Sequence, residues 1–122
     1  MESPYKGKTG LKRIFNAVLY SIDGLAAAYR FEDAFRQEVL LAMILIPTAV
    51  FIPVNPIGRA LMVSSVLGVL IVEVLNSAVE AVTDRVSLED NALAKRAKDL
   101  GSAAVMLSII NVVAVWLLVI VG

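Results

Sequence analysis

Three long apolar runs divide the chain, each more continuous than the half-polar face of a solvent-exposed element. The first, VLLAMILIPTAVFIPV, extends from Val39 to Val54 behind Arg36 and Glu38. At about 1.5 Å per residue it spans a bilayer's hydrocarbon only marginally, and the sequence predicts a kink at Pro47. The second begins after the breaker PVNPIG and runs from Ile57 to Val82, broken only by scattered polar residues. The third occupies Gly101 to Val121, with small residues at its start and Trp116 near its far end. Three membrane spans are expected, at about residues 36–54, 57–82 and 100–121.

Residues 9–30 follow a different rule. Leu11, Ile14, Phe15, Val18, Leu19, Ile22, Leu25, Ala26 and Tyr29 recur at helical spacing, while Lys12, Arg13, Asn16, Asp23 and Arg30 lie elsewhere around the wheel. This pattern predicts an amphipathic helix lying in the membrane interface. It lacks the continuous apolar core of a cleavable signal peptide.

Composition agrees with the pattern. The apolar fraction is 59% and the charged fraction 18%, with a mean hydropathy of +0.82; soluble domains sit nearer 45–50% and about 25%. A chain of 122 residues with three spans forms one domain, residues 1–122. Cysteine and histidine are both absent. Disulfides, thiolate nucleophiles, imidazole bases and His-ligated metals are thereby excluded, leaving carboxylates, amides, hydroxyls, Lys and Arg.

Net charge is zero, but its distribution is uneven. Lys6, Lys8, Lys12, Arg13, Arg30 and Arg36 precede the first span, and Arg85, Lys95, Arg96 and Lys98 lie between the second and third. Only Arg59 lies between the first and second. The positive-inside rule then puts the N-terminus and the second connection in the cytoplasm and the C-terminus outside.

Within the second span, VEVLNSAVEAVTD carries Glu73, Asn76, Ser77, Glu80 and Asp84 at i, i+3, i+4, i+7 and i+11. That spacing makes one stripe. Counted from Arg59, Glu73 lies about 21 Å along the helix and Glu80 about 32 Å, so one carboxylate is deep and the other near the inner surface. Ionised groups are costly at bilayer depth, so the stripe should face protein or water. A polar seam between helices, a proton or cation path, and a site for chemistry all satisfy that requirement.

KRAKDLGSAA, from Lys95 to Ala104, places Lys98 and Asp99 at an expected helix entrance, followed by small residues that allow close packing. A cation beside several carboxylates suits phosphate and a divalent ion together. GKT at Gly7 to Thr9 imitates the end of a phosphate-binding loop, but the required glycine is replaced by Glu2. Soluble kinase signatures are missing.

FEDAFRQE at 31–38, IVEVLNSAVEAVTDR at 71–85 and RAKDLGSAAV at 96–105 resemble the signature blocks of the prokaryotic diacylglycerol kinases, small integral-membrane lipid kinases. The resemblance runs from about Arg13 to the last span. It implies an all-α membrane fold with three transmembrane helices plus a surface helix per subunit. It further implies a homotrimer with sites shared between subunits in the bacterial inner membrane, and an active site at the cytoplasmic face. The implied reaction transfers the γ-phosphoryl group of ATP to diacylglycerol, with Mg2+ as cofactor; no nucleic acid is expected as a partner.

Residue by residue, the resemblance implies Glu73 as general base with Asn76 beside it, and Glu32 and Glu80 as metal-bridging carboxylates. Arg13, Tyr20, Glu32, Glu80, Glu89, Lys98 and Asp99 match nucleotide-handling positions. Arg13, Gln37, Glu38, Arg59, Glu73 and Ser102 match positions near the lipid substrate. The sequence departs from the expected pattern at Phe31, Asp33 and Asn91, and the surface helix has no Trp. These departures bear on loop contacts and lipid fit more than on the transfer centre. Undecaprenol kinase, of the same superfamily, shares the helical plan; a small proton or ion conductor and a passive scaffold are the readings from other classes.

Overall fold

The computed structural model describes residues 10–86 and 91–122, which form four helices. GKT and Glu89 lie outside the described residues. Helix α1 (Gly10–Phe31) meets α2 (Asp33–Phe51) at a corner of one residue, Glu32, whose backbone is extended. Arg36 secures that corner by donating to the carbonyls of Tyr29 at 2.7 Å and Arg30 at 3.0 Å while pairing with Asp33. A cation at the end of α1 satisfies carbonyls that the helix leaves without partners.

Helix α2 continues unbroken through Pro47. It ends at Phe51, before the expected boundary at 54, because Ile52 precedes Pro53 and adopts extended backbone. Helix α3 (Pro56–Thr83) starts with Asn55 as its cap, accepting the Gly58 N–H at 2.7 Å, and with proline in its first turn. Helix α4 (Ala92–Val121) starts from Asn91, which accepts the Ala94 N–H at 3.0 Å. Lys98 and Asp99 are therefore inside a helix rather than at its entrance. ALAKRAKDL is polar enough to read as a connection, yet Ala, Leu, Lys and Arg are strong helix formers and the cap precedes them.

All three of α2, α3 and α4 are long and apolar enough to cross a membrane. Helix α3 is central, packed chiefly against α4 and then α2. A Cβ on Gly58 would meet Val119 at 2.7 Å, Trp116 Nε1 donates to the Met62 carbonyl at 3.3 Å, and Asn76 packs on Gly101. These pairs fix α3 and α4 as antiparallel. Buried residues on α3 include Gly58, Met62, Ser65, Val66, Val69 and Glu73, one face of the helix. By contrast, the spanning window of α4 has no buried residue, and its Leu107, Ile110, Leu117 and Leu118 are exposed. Such apolar surface is what lipid or further protein covers.

Candidate active site

Glu73 is only 4% exposed. Its carboxyl group adjoins that of Glu38 across the α2–α3 contact, close enough for the two to interact directly. Helix α2 delivers Glu38 because the two helices run in opposite directions from the Ile52–Asn55 connection. Buried at this level and without a hydrogen-bond partner are Glu38 Oε2, Asn76 Oδ1 and Ser77 Oγ. Buried polar atoms are nearly always paired, so these three atoms have hydrogen-bonding capacity to spare. Glu38 also heads an apolar cavity of about 150 Å³ lined by Leu41, Leu45, Val66, Val69 and Val113.

Asn76 owes its position to Gly101. Its side chain occupies the space that a Cβ on Gly101 would fill, which brings the amide against the α4 backbone. Seven residues beyond Glu73, and so about 10.5 Å along α3, Glu80 is half-buried. Glu32, six residues before Glu38, makes no side-chain cap bond at the start of α2. Glu38 and Glu73 therefore meet at one level, and Glu80 and Glu32 each lie farther along the chain's helices from it.

Lys98 Nζ pairs with Asp84 at 3.0 Å rather than with its neighbour Asp99. Asp99 pairs instead with Lys95 at 2.8 Å. Asp84 belongs to the polar stripe of the sequence but to none of the positions matched by resemblance. Its signal was the fourth-residue spacing from Glu80, which acquires meaning only once α4 is seen to return alongside.

Arg59 stands apart from this cluster. It lies about 21 Å along α3 from Glu73, and its guanidinium donates to the carbonyls of Ala49 at 3.0 Å, Ile52 at 3.0 Å and Val54 at 3.3 Å. Within the chain it closes the end of α2 and the following connection. Arg13, Tyr20, Gln37 and Ser102 are exposed, the first two on α1.

Among the described residues, no three Asp, Glu, His or Cys side chains form a metal-holding cluster. A protein-only cage is thus not built here. Isolated carboxylates such as Glu32 and Glu80 match in chemistry an ion that takes most of its oxygens from phosphate and water, as Mg2+ does.

Comparison with known proteins adds to this geometry. The family described as prokaryotic diacylglycerol kinase matches residues 19–120. A diacylglycerol kinase of Pseudomonas aeruginosa is 52% identical over 120 residues, covering 98% of each chain. One from Escherichia coli K12 is 49% identical over 88% of each chain. One from Haemophilus influenzae is 48% identical over 88% of this chain and 92% of its own. With a family match over most of its length and relatives at about half identity, this chain belongs to the prokaryotic diacylglycerol kinases, a family of lipid kinases.

Proposed function

We propose that the chain transfers the γ-phosphoryl group of ATP to the primary hydroxyl of diacylglycerol, giving phosphatidic acid and ADP. The observation that carries this reading is the buried Glu73, set beside Glu38 about 10.5 Å below Glu80 in a chain of this family. Diacylglycerol presents a neutral hydroxyl at bilayer depth, whereas ATP stays in water. A base below the surface and phosphate ligands at it meet both requirements.

In this reading Glu73 accepts the hydroxyl proton as the oxygen attacks the γ-phosphorus and the bond to ADP breaks. Asn76 orients the reacting group. Glu38, at the head of the apolar cavity, places the glycerol end of the lipid, with Gln37, Arg13 and Ser102 around it and Arg59 near the tail. Arg13, Tyr20, Glu89, Lys98 and Asp99 hold the nucleotide, Lys98 neutralising phosphate charge. Glu32 and Glu80 are the carboxylates that would hold Mg2+, whose role is to neutralise and align the phosphates. Water is kept from Glu73 by its burial.

The proposed setting is the bacterial inner membrane, with the N-terminus in the cytoplasm and the site at the cytoplasmic face. The Lys and Arg distribution supports it. Helix α1 lies on the surface through Leu11, Phe15, Val18, Ile22 and Leu25, all exposed in the single chain. The chain acts as one domain, residues 1–122, in a homotrimer with composite sites. The exposed apolar faces of α2 and α4 give a trimer surface to use.

The test is direct. Purified protein in mixed micelles receives labelled ATP and Mg2+, with diacylglycerol or undecaprenol as acceptor. Labelled phosphatidic acid is the expected product; label only on undecaprenol would make the chain an undecaprenol kinase. No labelled lipid with either acceptor would refute the kinase reading.

A further inference from the structure

Asp84 occupies a poor place for a purely structural carboxylate. It caps the C-terminal end of α3, whose last turn carries no basic residue. The helix dipole repels an anion at that end, and an asparagine would occupy the position without the repulsion. Its ion pair with Lys98 is open to solvent, with the two side chains 57% and 33% exposed. Pairs of that kind contribute little to stability.

What the pair does is fix a mobile cation. Lysine carries its ammonium on a flexible four-carbon stem and loses considerable freedom when ordered. Asp99, one residue away, is engaged by Lys95 on the outer side of α4. Asp84 instead draws Lys98 across to the end of α3, where the Asp84 N–H donates to the Glu80 carbonyl at 2.9 Å. The ammonium is thereby held at Asp84, the residue one helical turn beyond Glu80 along α3. Of its three N–H donors, Asp84 takes one, leaving two for other oxygens.

We propose that Asp84 is a positioning residue that holds the Lys98 ammonium ready for the phosphate oxygens of ATP. This rests on the reading of Lys98 as a nucleotide ligand. Asp84 itself touches neither the nucleotide nor the lipid. It removes the need to order a long side chain at the moment of binding.

Equilibrium binding of MgATP to the purified full chain in micelles, without lipid acceptor, tests the proposal. The four proteins are the wild type, Asp84→Asn, Lys98→Ala and the double variant. Asp84→Asn should weaken binding by about 2- to 12-fold, the range for ordering one flexible side chain. Asp84→Glu, which keeps the charge, should recover part of that loss. In the Lys98→Ala background, Asp84→Asn should change affinity by less than about twofold, since Asp84 acts only through Lys98. Unchanged or tighter binding by Asp84→Asn would overturn the proposal, as would an undiminished effect without Lys98. If Lys98→Ala alone binds MgATP like the wild type, the nucleotide assignment of Lys98 falls, and this inference with it. Thermal melts identify folded variants, and Asp84→Ser replaces Asp84→Asn in the same cycle if the latter does not fold.

Discussion

Gly101→Ala tests the α3–α4 contact at its tightest point. The added Cβ would overlap Asn76 Oδ1 and lie 3.2 Å from Asn76 Cγ, but 3.9 Å from Asn76 Cβ. Overpacking of this kind costs about 1–3 kcal/mol. Replacing a mid-helix glycine by alanine returns about 0.8–1.0 kcal/mol of helix propensity, so the net loss should be about 0–2 kcal/mol. Truncation by Asn76→Ala leaves only the 3.9 Å contact, which is ordinary van der Waals spacing. In that background Gly101→Ala should therefore stabilise, by about 1 kcal/mol. The coupling between the two substitutions, about 1–3 kcal/mol, is the measurable quantity. Reversible unfolding followed by helical circular dichroism in micelles would give it. Turnover per folded protein should fall in Gly101→Ala with the KM for ATP unchanged, because the displaced amide belongs to the proposed site. If Gly101→Ala has the same effect on stability with and without Asn76→Ala, the close packing of amide on glycine is refuted.

Other expectations follow from the same geometry. Glu73→Gln should lower kcat by about 100-fold or more while leaving the KM for ATP nearly unchanged, the scale of general-base removal; near-normal turnover would remove Glu73 from the mechanism. Glu80→Gln and Glu32→Gln should each raise the Mg2+ and ATP requirements together, and titrating Mg2+ at fixed ATP reads this out. An unchanged midpoint in both would count against their assignment. Co-assembled Glu73→Gln and Lys98→Ala subunits should regain activity if a site draws these residues from different chains, provided tagged chains are first shown to exchange. No recovery after exchange would place both in one chain. Arg59→Leu should lower stability by about 1.5–3 kcal/mol, since three carbonyls lose a charged donor; a melting midpoint equal to wild type would dismiss the role at the α2 end.

The spans are legible in the sequence because a bilayer demands continuous apolar length, a requirement few other settings impose. The facing ends of α3 and α4, around Asp84 and Lys98, are less so. The polar stretch from Ala92 to Asp99 has the hydropathy of a connection and the propensity of a helix, and with Asn91 capping it, propensity prevails. Glu73 stands out because a carboxylate is costly at that depth. Its neighbour Glu38 could be matched to the lipid side, yet only the folded α2–α3 hairpin brings the two carboxyl groups together. Arg59 shows the opposite limit. The resemblance matches it to the lipid side, but nothing in its spacing foretells that its guanidinium also donates to the carbonyls of Ala49, Ile52 and Val54. Pairings between helices depend on register, which no single-helix periodicity contains.

That register is set far from the chemistry. At the end of the α3–α4 pair remote from Lys98, Gly58 lets Val119 approach and Trp116 bonds to the Met62 carbonyl. From Gly58 to Asn76 on one helix, and from Gly101 to Val119 on the other, is eighteen residues, or about 27 Å. Two antiparallel helices in contact over that length cannot slip at one end alone. A shift of one residue would move α4 by about 1.5 Å and turn its facing residue by about 100°. Asn76 would then meet a side chain with a Cβ, and Lys98 would point away from Asp84. The glycine and tryptophan at the Gly58 end therefore constrain the polar contacts around Asn76 and Lys98, through the stiffness of the helices and not through any direct contact with those residues.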